Sequence, residues 1–177
     1  MTEIIAWVGV WWYNIIMEKF LDITTIDIII RLFIALFLGM IIGTERVWAH
    51  KTAGMRTYAL VSMGSALFVI ISNEMVKYYT GFNGLNPLMI ISQIVVGIGF
   101  IGAGLIFSKD SKLMGLTTAT GLWVSAGIGM ASGFALFKIA IIATILSLFI
   151  FIVLWFLEEQ LKKTKYFKES TVQDNMN

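Results

Sequence analysis

The sequence Gly39-Met40-Ile41-Ile42-Gly43-Thr44-Glu45-Arg46, followed closely by Ala53-Gly54-Met55-Arg56-Thr57, joins one long apolar run to the next. Similar apolar runs recur along the chain, and about 20 residues at a rise of 1.5 Å cross roughly 30 Å of hydrocarbon. The chain is 58% hydrophobic and 14% charged, so a soluble core could not hide its apolar side chains. The sequence therefore predicts an all-α, polytopic integral membrane protein.

Five transmembrane helices are expected, from runs at residues 27–43, 57–76, 87–107, 116–133 and 135–157. Before them, a Trp-rich segment with a short apolar stretch predicts an amphipathic helix at the outer membrane surface, with a sixth, tilted span as the alternative. After them the composition becomes charged and polar. We therefore expect an interfacial segment at 1–25, a transmembrane domain at 26–157 and a charged cytoplasmic tail at 158–177.

Basic residues fall on one side of this expected topology. They occupy the connections after the first and third runs and the tail: Arg46, Lys51, Arg56, Lys109, Lys112, Lys162, Lys163, Lys165 and Lys168. Cytoplasmic loops of membrane proteins carry an excess of Lys and Arg. We therefore expect the C-terminus in the cytoplasm and the N-terminus outside.

Thr24 and Asp27 have the spacing of a capping box, which predicts the start of the first helix. Arg31 follows Asp27 at i+4, so the two are expected to pair at the outer interface, with the Arg side chain reaching towards water. The alternative is a buried, functional Arg31, because intramembrane charge is costly and marks functional sites.

Glu45 and Arg46 end the first run, and Arg56 and Thr57 begin the second. In one interpretation, Arg46 complements the negative end of the first helix, which stabilises it by about 0.3–1 kcal/mol. In the other, Glu45 reaches Arg56 and clamps the intracellular loop, while Arg46 stays free for a lipid phosphate or a partner.

The third run contains Gln93 and four glycines, Gly97, Gly99, Gly102 and Gly104. On a helix, small residues would lie on opposite faces. Because glycine lets helices approach closely, this pattern predicts a span sandwiched at the centre of the bundle. The alternative is a helix interrupted at the glycines, with carbonyls exposed to a cavity.

In the fourth run, small residues share one helical face: Thr118, Gly121, Ser125, Gly129 and Ser132. We interpret this stripe as a packing surface whose hydroxyls bond to carbonyls one turn back or to the third span. Ion coordination is the alternative. Trp155, near the end of the fifth run, is expected in the inner aromatic belt.

The sequence contains few of the residues that enzyme chemistry requires. The chain has no Cys and one His, His50, whereas a membrane enzyme needs a nucleophile with a base, paired acids or a metal cluster. We expect no enzyme activity, catalytic residue, metal site or cofactor.

The order of these blocks resembles the MgtC/SapB family of bacterial inner-membrane proteins. The resemblance rests on Arg31, Gly39, Gly43, Glu45-Arg46, Ala53 to Thr57, Gln93, Gly97 to Gly104, Gly115-Leu116-Thr117-Thr118-Ala119 and Trp123. It implies a multi-pass protein of the bacterial inner membrane, linked to growth in low magnesium. The best-known type acts on the F-type ATP synthase and carries a folded soluble domain after its last span. The tail of about 20 residues here is too short for such a domain, which argues against that role.

These features together predict a non-enzymatic regulator of Mg²⁺-linked ion homeostasis or membrane energetics. The alternative is a small-ion transporter or channel with its path along the third span, and a purely structural subunit is a third possibility. The partners we expect are the lipid bilayer, a second copy in a homo-oligomer, first of all a dimer, and another membrane protein. No nucleic-acid partner is expected.

Overall fold

The computed structural model describes residues 24–78, 87–109 and 112–163, and over these ranges the chain is mainly helical. The helices are α1 (Thr25–Trp48), α2 (Met55–Tyr78), α3 (Pro87–Leu105), α4 (Leu116–Gly133), α5 (Phe137–Phe149) and α6 (Trp155–Lys163). A π-helical turn, Ile150–Leu154, connects α5 to α6. The predicted interfacial helix lies outside the described residues, apart from its last two.

Within the part of the chain that the structure describes, three helical stretches are long and apolar enough to cross a membrane: Thr25–Trp48, Met55–Val76 and Phe137–Leu161. Met89–Leu105 is a shorter apolar helix, and α4 coincides with the predicted fourth run. The prediction of an all-α membrane protein is therefore confirmed.

Local capping sets the ends of the first helix. The Thr24 hydroxyl accepts a hydrogen bond from the Asp27 amide, and the Asp27 carboxylate accepts one from the Thr24 amide, so the predicted capping box is present. At the other end, the amides of Lys51 and His50 donate to the carbonyls of Arg46 and Val47, and His50 adopts a left-handed conformation, φ 54°. These bonds form a Schellman motif, which stops α1 just beyond Glu45 and Arg46.

The small-residue stripe of α4 packs against α2. At Gly129, an added Cβ would overlap the Ser62 carbonyl oxygen and lie 2.9 Å from the Ser62 Cα. Ser125 donates a hydrogen bond to the Tyr58 carbonyl at 3.0 Å, and Ser132 donates to the carbonyl of Ile128, one turn back. The packing role of the stripe is as predicted, but its hydroxyl bond to a neighbouring helix goes to α2 rather than α3.

The prediction that the third span is the centre of the bundle is wrong for the single chain. Helix α4 contacts α1, α2, α3 and α5, whereas α3 lies at the edge and packs mainly against α2 and α4. Phe100 on its other side is 82% exposed. α3 is continuous through its glycines, so the interrupted helix is also wrong.

Helix α3 ends at Leu105, two residues before the predicted boundary. Two short strands follow, β1 (Phe107–Lys109) and β2 (Lys112–Met114), paired antiparallel with Phe107 opposite Met114. This hairpin was not predicted, because its first strand continues the apolar run.

Candidate functional site

Arg46 is a charged residue inside the bundle, with only 3% of its surface exposed. It lies one helical turn beyond Ile42 and Gly43 on the buried face of α1. Its Nε donates a hydrogen bond to Oε2 of the adjacent Glu45, whose side chain is 13% exposed. A buried guanidinium is tolerated when it is paired in this way, because an isolated buried charge costs several kcal/mol.

The Phe151 ring supplies the second contact of the buried arginine. The guanidinium carbon of Arg46 lies 3.6 Å from the ring centroid, a distance at which the face of an aromatic ring attracts a cation. Phe151 belongs to the π-helical turn. At Gly121 of α4, an added Cβ would lie 2.8 Å from the ring edge, so glycine leaves room for the ring.

Tyr58 completes the surroundings and joins α2 to α4. It is fully buried, and its hydroxyl donates to the Thr118 carbonyl at 3.2 Å, while its own carbonyl accepts from Ser125. Tyr58 and Phe151 belong to one apolar cluster with Ile42 and Leu122. We call Glu45, Arg46, Tyr58 and Phe151 the Arg46 site.

The proposed clamp between Glu45 and Arg56 is wrong. Within the described ranges Glu45 pairs with Arg46, its neighbour in sequence, and Arg56 and Thr57 are exposed at the start of α2. Arg46 is likewise not free for a phosphate, because the protein buries it. The reason is the rotation of each helix about its axis. Arg46 falls on the face of α1 that packs into the bundle, whereas Arg56 falls on an exposed face of α2.

Arg31 has a different partner from the expected one. Its Nη1 donates to the Gly133 carbonyl at 2.9 Å, whereas Asp27 bonds to Thr24. Gly133 is the last residue of α4, where unpaired carbonyls and the negative end of the helix dipole attract a cation. Arg31 therefore ties α1 to the end of α4.

Gln93 lies on a groove between α2 and α3 with a volume of about 600 Å³. Leu60, Phe68 and Ile94 make its lining largely apolar, and Ser65 and Gln93 are its polar side chains. Gly64 and Gly97 line opposite walls of this α2–α3 groove, and an added Cβ at either would meet no atom within 4 Å.

The other candidate residues of α3 and α4 divide into buried and exposed. Gly102 packs against Ala119, with 3.6 Å between an added Cβ and the Ala119 Cβ, whereas Gly99 and Gly104 face open space. Thr118 is buried. Thr117 and Trp123 are exposed, so the structure does not bring them to the Arg46 site.

Among the described residues, no group of three or more His, Asp or Glu side chains is placed to hold a metal ion. His50 lines a second groove, beside Glu45.

Sequence reasoning missed Tyr58 and Phe151. A signal existed for Tyr58, which directly follows the Arg56-Thr57 block. No signal marked Phe151, because it is one Phe in an apolar helix and only the folded chain brings it to Arg46.

Comparison with known proteins places this chain in a family. The model of the MgtC family matches residues 32–160. YhiD of Escherichia coli, described provisionally as a magnesium transporter, is 38% identical over 150 residues, which cover 84% of this chain and 70% of YhiD. MgtC of Salmonella typhimurium is 44% identical over 120 residues, 68% of this chain.

The match to MgtC of Salmonella typhimurium covers 49% of that protein. MgtC of Brucella abortus is 41% identical over 111 residues, 63% of this chain and 44% of that protein. The chain thus spans about half the length of these two relatives. No solved structure is significantly similar to it.

Proposed function

This chain belongs to the MgtC family of bacterial membrane proteins, and we propose that it is a non-enzymatic regulator of Mg²⁺-linked ion homeostasis that acts by binding another membrane helix. The helix comes from a second copy or from a partner protein. The observation that carries the proposal is the α2–α3 groove, whose walls hold two glycines with open space beside them.

Glycine is informative at a membrane-exposed surface. Apolar side chains gain nothing over lipid by facing another helix, whereas glycine lets two backbones approach closely and so increases van der Waals contact. Gly97 and Gly104 lie on α3 with no neighbour for an added Cβ. These positions suit a helix from outside the protomer.

The Arg46 site supports regulation rather than conduction. Arg46 is paired with Glu45 and stacked on Phe151, so both contacts hold its guanidinium in place inside the bundle. In this proposal the site fixes the ends of α1 and α2 and thereby the shape of the groove.

A growth experiment in limiting Mg²⁺ tests the function. It uses a host bacterium from which the chromosomal gene for this protein has been deleted. The unaltered chain should restore growth, and Gly97→Leu, which fills the groove, should not. Gly127→Leu is the matched control, because Gly127 also has open space for a Cβ but lies outside the groove. Equal growth with both variants would refute a role for the groove.

Disulfide cross-linking distinguishes the two sources of the helix. The chain has no Cys, so Ile101→Cys, at a 46% exposed position that lines the groove, introduces a single thiol there. Cross-linked dimers of the chain support a homo-oligomer, and an adduct with another protein supports a partner. Ile139→Cys on α5, where Ile139 is 57% exposed, should give neither product.

A transporter is the second candidate, favoured by the polar Gln93 and Ser65 in the groove and by the description of YhiD. Purified protein in liposomes with an internal Mg²⁺-sensitive dye tests it. Selective Mg²⁺ entry that Gln93→Leu abolishes would overturn the regulatory proposal, and the absence of entry would support it.

A further inference from the structure

A second groove lies where α1 ends against the π-helical turn and α6. Its volume is about 670 Å³, within the range of roughly 300–1,000 Å³ of small-molecule sites. Glu45, Trp48 and Trp155 contribute a carboxylate and two indole rings, and Ile41, Leu148 and Ile152 contribute apolar surface. We call it the Glu45 groove.

Glu45 retains acceptor capacity towards this groove. A carboxylate has two oxygens with about four lone-pair sites, and Arg46 Nε bonds to Oε2. The guanidinium is held over the Phe151 ring. A ligand with N–H donors could therefore bond to Glu45 while its pair with Arg46 stays in place.

The two tryptophans favour a positively charged ligand. Trp is the best aromatic partner for a cation, with about 0.5–1 kcal/mol at exposed sites, and Trp48 and Trp155 are 78% and 57% exposed. Tryptophan at a membrane surface is common by itself. Here the tryptophans accompany the Glu45 carboxylate, which is largely removed from water. This carboxylate would repel an anionic headgroup.

We propose that the Glu45 groove binds a phospholipid whose headgroup carries an ammonium group, such as phosphatidylethanolamine. The ammonium bonds to Glu45 and lies against the indole rings, and an acyl chain covers the apolar surface. A soluble amine would leave that surface uncovered. The groove lies at the end of a membrane-spanning helix, where headgroups and acyl chains meet. This inference does not depend on the proposed regulatory function.

Native mass spectrometry tests the proposal. The full chain is released from nanodiscs that contain equal amounts of phosphatidylethanolamine and phosphatidylglycerol, and the lipids that stay bound to it are identified. The protein should retain phosphatidylethanolamine with about tenfold enrichment, equivalent to about 1.4 kcal/mol. Glu45→Gln and Trp155→Leu should each reduce the enrichment several-fold. Trp155→Leu leaves the buried ion pair intact, so it remains informative if Glu45→Gln fails to fold.

Trp123→Leu is the matched control, because Trp123 is 53% exposed and does not line the groove; it should keep the full enrichment. Retention of the two lipids in their bulk ratio overturns the proposal. The proposal is also overturned if Trp155→Leu leaves the enrichment of phosphatidylethanolamine unchanged. A polypeptide that co-purifies in place of the lipid overturns it as well. Phosphatidylcholine, whose quaternary nitrogen has no N–H to donate to Glu45, should be retained less than phosphatidylethanolamine in a parallel experiment, and equal retention of the two overturns the proposed bond.

Discussion

The guanidinium carbon of Arg46 lies 3.6 Å from the centroid of the Phe151 ring, although the two residues are far apart in the sequence. Arg46 lies in the last turn of the first spanning helix, and Phe151 lies in the π-helical turn of the last one. This contact closes the bundle, because it joins the first and last helices beside Tyr58 of α2. The stability of the fold should therefore depend on both residues.

Arg46→Leu should destabilise the protein by roughly 3–5 kcal/mol, because it leaves the Glu45 carboxylate without its partner. The measurement is the unfolding midpoint in mixed micelles with increasing SDS. The double variant Arg46→Leu/Glu45→Leu should recover much of the loss. Arg56→Leu, at an exposed position, is the control and should change stability by less than about 0.5 kcal/mol. Equal losses at both arginines would contradict the buried pair.

Phe151→Leu should lower stability by about 2 kcal/mol or more, since it removes a desolvated cation–π contact and part of the core packing. Phe149→Leu, two residues away at a position that is 55% exposed, is the control. The same SDS titration compares them. A larger loss at Phe149 would mean that the ring contact contributes little.

Gly129→Ala should destabilise by roughly 1–3 kcal/mol, because its Cβ would collide with the Ser62 backbone and separate α2 from α4. Gly127→Ala on the same helix should be neutral or stabilise by up to about 1 kcal/mol, since its Cβ meets no neighbour. Thermal unfolding in detergent can rank the two variants, and the reverse order would be incompatible with the close packing.

Ser125→Ala should cost about 0.6 kcal/mol, the average for a hydrogen bond between membrane helices, because it removes the 3.0 Å bond to the Tyr58 carbonyl. Ser62→Ala should cost nothing or stabilise slightly, because the buried Ser62 hydroxyl has no hydrogen-bond partner among the described residues. Unfolding midpoints of the two variants provide the comparison. A loss at Ser62 equal to that at Ser125 would indicate an unrecognised partner.

The features that local physics controls could be predicted from the sequence. The approximate positions of the helices follow from apolar length, the start of α1 from the Thr24 and Asp27 pair, and the α4 packing face from the spacing of its small residues. The turn at residues 134–136 lies where the fourth and fifth runs were divided.

Properties that depend on neighbouring helices could not be predicted. Glycines on both faces of α3 suggested a central helix, but the order of helices depends on which surfaces fit together, and α4, which contacts α1, α2, α3 and α5, takes that place. Arg46 and Arg56 have the same chemistry, and both lie where two apolar runs are joined. Only the rotation of each helix decides that one is buried and the other exposed.

The π-helical turn at Ile150–Leu154 gives the last spanning helix one place that can lose a residue. Such a turn holds one residue more than the α-helical turn it replaces. Deletion of one residue there, other than Phe151, would let the helix continue as an ordinary α-helix, and the later side chains, Trp155 among them, would keep their orientation. Deletion of one residue within α5 would instead rotate every later side chain by about 100° relative to the residues before it. Loops can change length during evolution at little cost, and in this helix the same tolerance is confined to one turn.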